Sequence, residues 1–382
     1  MGRRSHGGVT AQRGNDYCYK IAISNNVGGV KHCLSTLLEF VDVFRLVFAC
    51  CIVGEFFMSQ DSAPKLHVTV NMQRHQFWRL TYRRNRYLEH APHIDLANRA
   101  RDVIGNVTAL EYNGKIGLVQ INDGVYWMEL FTHVLEELVL RKVGFPSGFM
   151  KDSAVPKPTF PSDPRSKKLL EQLGSRLSGH LYVAKLGKSK YLESDFKLGR
   201  WRISPASSYA ASDSSLNLAQ RDAELELSVY LPKQAKLRVW DGKTGLFKGE
   251  MEPPGNIKLT SRSVSDYYVS CMTKQLDLRL FDDFDADCGI IVHKPTEFAE
   301  RMFSAAKRAL PSWVGGFGDV KYIDPYRPPK DEIEIFCCKD FRFWYQKEVR
   351  FAWLPLKPPQ GKLDHLYLEL GDISDVCQFV QI

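Results

Sequence analysis

The sequence predicts an α+β fold: a small mixed N-terminal domain followed by a mostly antiparallel, β-rich C-terminal one. Three observations lead there. Strand-like runs outnumber helical ones beyond residue 179 and do not alternate with them regularly, as a βαβ fold would require. Pro146, Pro156, Pro158, Pro161 and Pro164 crowd one stretch and divide the 382 residues. The third is Phe341 to Trp353, read with a period of two. Phe341, Phe343, Tyr345, Val349, Phe351 and Trp353 then share one face. Arg342, Trp344, Gln346, Glu348 and Arg350 share the other.

Residues 1–57 carry four of the nine cysteines, a Gly/Asn-rich run and an apolar stretch without caps. Two readings stand. Either Met58 is the true start and 1–57 is an untranslated or disordered extension, or a helix over 33–48 docks on the body or a partner. A ribosome-binding site can be written in the codons of Gly54-Glu55, with Phe56-Phe57 as its spacer.

Residues 58–149 form the first domain, a recognition or partner unit. Gln73 to His90 interleaves Arg74, Arg79, Arg83, Arg84 and Arg86 with Phe77, Trp78, Tyr82 and Tyr87. Such a run either holds a nucleic-acid backbone with stacking partners or is a solvated helix with its aromatics in the core. Asp95 to Ile104 predicts a helix with Asp95 as N-cap. Val107–Tyr112 and Lys115–Ile121 flank Asn113-Gly114, a hairpin signal. Val125 to Lys142 predicts an amphipathic helix. Residues 150–178 are linker with a short helix over 166–177.

Residues 179–382 form the second domain. Strands are expected over 180–185, 200–204, 236–240, 266–273, 289–293, 320–323, 341–354 and 365–370. Helices are expected over 218–227 and 295–309, the latter opened by Pro295. Gly315 to Gly318 reads as a flexible loop.

Charge and cysteines bound the function. The net charge of +8 suits an acidic partner such as nucleic acid without requiring one. No Cys-x-x-Cys occurs, which argues against a zinc ribbon or redox motif. The pattern is that of reduced thiols in a cytoplasmic protein. No apolar run reaches the ~20 residues needed to cross a bilayer, so no membrane role is expected.

Four segments carry a resemblance: Gly199-Arg200-Trp201-Arg202-Ile203-Ser204 through Tyr209; Gln220-Arg221-Asp222-Ala223-Glu224; Tyr268 to Thr273 followed by Leu280 to Phe284; and Tyr345-Gln346-Lys347-Glu348-Val349-Arg350. Over about residues 180–372 this order resembles a bacterial family known only as a domain of unknown function, with a late Y-x-K-E-x-R strand. Some members lie among phage-defence genes. Leu280 to Phe284 departs from the family's W-x-x-Y element. More remotely the segment resembles mono-ADP-ribosyltransferase-like toxins, whose late strand carries Q/E-x-E.

That second resemblance implies a transferase using NAD as substrate, on an ADP-ribosyltransferase-like fold. Glu348 would be the catalytic carboxylate and Gln346 the acceptor-orienting group. His180, Ser204, Tyr209 and Arg350 would contact NAD. Cleaving the nicotinamide–ribose bond develops oxocarbenium character, which a carboxylate stabilises. The acceptor is a macromolecule, nucleic acid or protein, with an antitoxin or partner bound through 58–149. Because the Glu348 face is polar, replacing it is expected to leave stability nearly unchanged. Two other classes remain open. One is a non-enzymatic nucleic-acid- or protein-binding module using the Gln346/Glu348/Arg350 face. The other is a metal-dependent nuclease, which needs Asp222, Glu224 and Glu348 to converge.

Overall fold

The computed structural model describes residues 18–23, 72–110, 116–119, 121–150, 164–173, 181–210, 219, 222–231, 235–241, 244–252, 256–329 and 333–382. The expected linker lies largely outside them, as do His180, Arg221 and the helix over 33–48. Of residues 1–57, only β1 (Cys18–Ile23) is described.

Along the chain follow α1 (Arg74–Arg84), α2 (His93–Val107), β2 (Thr108–Leu110), β3 (Ile116–Leu118), α3 (Ile121–Arg141) and α4 (Pro164–Leu173). Then come β4 (Val183–Gly187), α5 (Ser189–Lys197), β5 (Arg200–Pro205), β6 (Glu226–Leu231), β7 (Lys236–Asp241), β8 (Phe247–Met251) and β9 (Ile257–Arg262). The rest comprises β10 (Tyr268–Thr273), α6 (Leu278–Asp283), β11 (Cys288–Val292), α7 (Pro295–Ala309), β12 (Trp313–Asp319) and β13 (Lys321–Ile323). The chain ends with β14 (Cys338–Asp340), β15 (Glu348–Pro355), β16 (Leu366–Glu369) and β17 (Cys377–Gln381).

The α+β class is observed. Among the described residues the largest sheet runs β12-β15-β10-β4-β11-β17, with β5 paired to β10 and β16 to β5. Its pairings are antiparallel. Alternation gives it two unlike faces. Val183, Ile203, Met272, Ile290, Val292, Val349, Phe351 and Trp353 point to one, under Phe298, Met302, Ala305 and Ala306 of α7. Phe317 stacks on Phe351 with centroids 4.2 Å apart. The other face carries polar groups: Cys271 sits opposite Arg350 and Thr273 opposite Glu348.

The helical segment packs α1 and α2 against α3 through Tyr82, Leu88, Leu96, Ala100, Val134 and Leu138. It meets the β-rich half through buried polar bonds. Arg99 forks onto Asp324, at 2.6 and 2.5 Å. Asn106 donates from Nδ2 to the Phe341 carbonyl at 2.9 Å and accepts the Tyr345 N–H at 3.0 Å. Arg279 donates to the carbonyls of Gly105 and Thr108.

Several expected elements differ. Phe341 to Gln346 is a 3-10 turn, not strand. Asp340 caps it by accepting the Arg342 N–H, and Lys347 ends it in the left-handed region at φ 45°. The alternating aromatics mimic a strand because Phe341, Phe343 and Tyr345 are all buried, but Asn106 closes the turn. The helix expected over 218–227 is also overturned. Glu226 opens β6, whose Leu227, Val229 and Leu231 alternate inward against β9. The i,i+4 spacing that would set Asp222 and Glu226 on one face of that helix therefore has no helix to act on. Asp95 lies in the first turn of α2, after Pro92, and accepts the Tyr326 hydroxyl. The glycine run 315–318 is part of β12, with Gly315 leaving room for the Trp353 indole. The helix over 295–309 and the pairing of β2 with β3 are as expected.

Gly199 offers a direct check of this packing. It sits at φ +60°, and a Cβ there would lie 1.8 Å from the Gly371 carbonyl oxygen. Backbone cannot rotate away as a side chain can. Gly199→Ala is expected to destabilise by roughly 1–3 kcal/mol, read as a lower urea midpoint at unchanged slope.

Candidate functional site

Glu348 opens β15, and its carboxylate turns inward. Oε2 accepts from Lys339 Nζ at 2.9 Å. Oε1 accepts from Arg350 Nε at 2.9 Å, and Nη2 lies 2.8 Å away. Arg350 reaches onward to Glu224, with Nη2–Oε1 at 3.0 Å and Nη1–Oε2 at 2.7 Å, and donates to the Phe336 carbonyl. Lys339 also faces Asp222 at 3.6 Å and Glu224 at 3.8 Å. These five residues are all buried.

The local folding is legible. Glu348 and Arg350 are two apart on one strand, so they share a face. Lys339 arrives on the short strand β14, and the 3-10 turn brings the chain back to Glu348. The Glu348 N–H donates to the Tyr322 hydroxyl at 2.7 Å, which fixes the start of β15.

Three carboxylates face two permanent cations, a net charge of −1 when all ionise. Electrostatics splits the carboxylates. Burial pushes Glu224 up to about 7, with Asp222 and Glu348 adding repulsion against the pull of Arg350 and Lys339. Burial also works to raise Glu348, but Arg350 and Lys339 overcome it and hold Glu348 down at about 2. Lys339 stays protonated, since its three carboxylate neighbours outweigh its desolvation. One carboxylate is thus held ionised while its buried neighbour is pushed toward neutrality.

This split has a measurable consequence. Unfolded, Glu224 titrates near the usual carboxylate value of about 4.3. Folded, it holds its proton up to about 7. Its contribution to stability is full below the unfolded value and is lost as pH rises through the folded one. Glu348 does the opposite, contributing above the unfolded value and losing that as pH falls toward 2. Urea unfolding of the wild type is therefore expected to weaken from pH 5 to 7.5 relative to Glu224→Gln, which lacks the proton. Parallel pH profiles for the two proteins would contradict the assignment.

The expected site residues are only partly brought together. Gln346 leaves the cluster: its Nε2 donates to the Ala219 carbonyl and its own carbonyl accepts from Thr273. The reason is the turn, which ends at Lys347 and breaks the alternation that would have placed Gln346 beside Glu348. Arg342 is exposed and rests on the Phe343 ring. Ser204 bonds His365 Nδ1 at 3.1 Å. Tyr209 lies on the polar face beside Cys271 and Leu225. Its hydroxyl is pushed up to about 12 by burial, with the charges of Cys271 and Glu224 adding to it.

Lys339 was missed by sequence reasoning, since Cys337-Cys338-Lys339-Asp340 fits no motif. Asp222 and Glu224 were legible as carboxylates that a nuclease would bring to Glu348, but on an expected helix rather than on the loop and turn that precede β6. The sulfur of Cys271 and the carboxylates of Glu224 and Glu348 lie within 4.8 Å of one another. Lys339 and Arg350 already neutralise much of that negative charge, so a divalent ion would carry the cluster from −1 to +1. No helix among the described residues is long and apolar enough to cross a membrane. Comparison with protein-family models, with curated proteins and with solved structures found no match.

Proposed function

We propose that this chain is an ADP-ribosyltransferase-like enzyme that consumes NAD, a toxin or phage-defence effector acting on a macromolecular acceptor in the bacterial cytoplasm. The observation that carries the reading is the buried pair Glu348 and Glu224 bridged by Arg350, at 2.9 and 3.0 Å, in which the cations hold Glu348 down while burial pushes Glu224 up. The cluster's net −1 suits a transition state with one developing positive charge.

Glu348 stabilises the oxocarbenium character of the ribosyl group. The C1′–N bond breaks, and its electron pair leaves with the nicotinamide nitrogen. The acceptor's nucleophilic atom bonds C1′ and gives up its proton to Glu224. That role falls to Glu224 because Gln346 faces Ala219. Arg350 is engaged by both carboxylates, so its part is to hold them rather than to bind pyrophosphate. Ser204 and Tyr209, with His180, are the candidate NAD contacts. The test is incubation of the full chain with adenylate-labelled NAD and cell extract, following released nicotinamide and label in protein, RNA and DNA. No release and no transfer would sink the reading.

A second reading has its own support. Glu224, Glu348 and Cys271 place ligand atoms within 4.8 Å of one another, while Asp222 reaches the group through Lys339 at 3.6 Å, so the metal of a nuclease would have to displace that ammonium. Cleavage of DNA or RNA that requires added Mg²⁺ or Mn²⁺, without NAD consumption, would put it first.

A further inference from the structure

We propose that the outward face of α1 is a docking surface for single-stranded nucleic acid. The inference stands on the helical segment and not on the chemistry at Glu348.

Helix α1 has no acidic residue in its sequence RHQFWRLTYRR. Only Tyr82 is buried within it. With 3.6 residues per turn, the face opposite Tyr82 carries Phe77, Leu80 and Arg84, flanked by Arg74 and Arg83. Phe77 is 57 % exposed and Leu80 51 %. Phe77 and Leu80 are one turn apart, so they form a small contiguous apolar strip bordered by guanidinium groups.

The arginines are held rather than loose. Arg79 and Arg83 both grip Glu136, whose side chain is only 1 % exposed, while their own stay 48 % and 54 % exposed. Arg86 grips Glu137 and Glu89. Buried carboxylates thus anchor half-exposed guanidinium groups from beneath, which lowers the entropy lost when a ligand orders them. Arg74 and Arg84 have no ion pair among the described residues and are free to meet phosphate. Arg74, Arg79, Arg83, Arg84, Arg86 and Arg141 against Glu89, Glu136 and Glu137 leave +3 on this patch, within a chain of +8.

An anion is therefore the complement, and the ring narrows its class. A duplex offers phosphates but hides its base faces. A single strand offers both, with a base free to stack on Phe77 between arginine-bound phosphates. Two exposed apolar residues are too few for a membrane anchor.

Fluorescence anisotropy of a labelled single-stranded 20-mer, DNA and RNA, with the full chain at 50 and 200 mM salt tests this. Binding should weaken steeply with salt. Arg74→Glu/Arg84→Glu should bind at least about tenfold more weakly and with a salt slope reduced by about 1.4, at about 0.7 per phosphate contact on a single strand. Phe77→Ala should weaken binding about tenfold and leave the slope unchanged. Circular dichroism melts check that the variants fold. Because these side chains are exposed, no loss of fold is expected. No binding at 50 mM salt would overturn the proposal. So would variants that bind like the wild type, or capture by anionic vesicles in preference to the oligonucleotide.

Discussion

Glu348→Gln is expected to lower nicotinamide release by about 10²–10³, the usual loss when a charge aimed at a transition state is removed. The amide keeps the shape and loses the negative charge that faces the ribosyl carbon in the proposed reaction. Its effect on the rest of the cluster follows from the charge count. With Glu348 neutral, Asp222 and Glu224 balance Lys339 and Arg350, so the cluster goes from −1 to zero. Glu224 then becomes the main partner of both cations and gives up its proton more readily. This relay moderates the structural damage. Still, Glu348 is buried and makes charged hydrogen bonds to Lys339 and Arg350, so its replacement should cost about 1–3 kcal/mol. Unchanged stability is no longer the expected result, because Glu348 and Arg350 on the polar face of β15 are buried rather than solvated. NAD consumption must therefore be compared at equal folded protein. Equal consumption by variant and wild type would take Glu348 out of catalysis and leave an ion network beneath a binding module.

How much of this could be read in the chain depends on range. Tyr268 to Thr273 and the half of the late segment after Glu348 are short runs rich in apolar residues and are buried almost throughout, so those strands were legible from local composition. The turn before Glu348 was not. Phe341, Phe343 and Tyr345 alternate as a strand would, and the turn is held by the Asp340 cap together with Asn106 and Trp127, both far away in sequence. The glycines of β12 look like a loop until the Trp353 indole is seen to need the space. Glu348 and Arg350 were found together because two-residue spacing is a local rule. Lys339 and Glu224 join them only through the closure of the whole fold, and no local pattern announces a non-local ion pair. Tertiary contacts override propensity at the places where the site is assembled.

Arg99→Ala should destabilise the protein by about 3–5 kcal/mol, the range for removing one partner of a buried ion pair. Arg99 and Asp324 are both almost wholly buried and bonded bidentately. The guanidinium also lies over the Phe341 ring at 4.9 Å and near the rings of Tyr87 and Tyr326. Truncation strands the Asp324 carboxylate where water cannot replace the lost donors, and opens a void among three aromatic rings. The location gives the loss a second consequence. Phe341 begins the turn that leads from Lys339 to Glu348, and the same turn is gripped by Asn106 and by Trp127, which packs on Phe341 and Trp344. Loosening α2 from this turn should relax the spacing of the cluster before the protein unfolds globally. Hydrogen exchange in 338–350 should therefore speed up in Arg99→Ala under conditions where the main sheet stays protected. A double-mutant cycle with Asp324→Asn separates the pair from its surroundings. Asp324→Asn should recover part of the loss, because it removes the stranded charge. Additive losses in the cycle, or protection at 338–350 equal to the wild type, would mean that the Arg99–Asp324 bond does not tie the helical segment to the site.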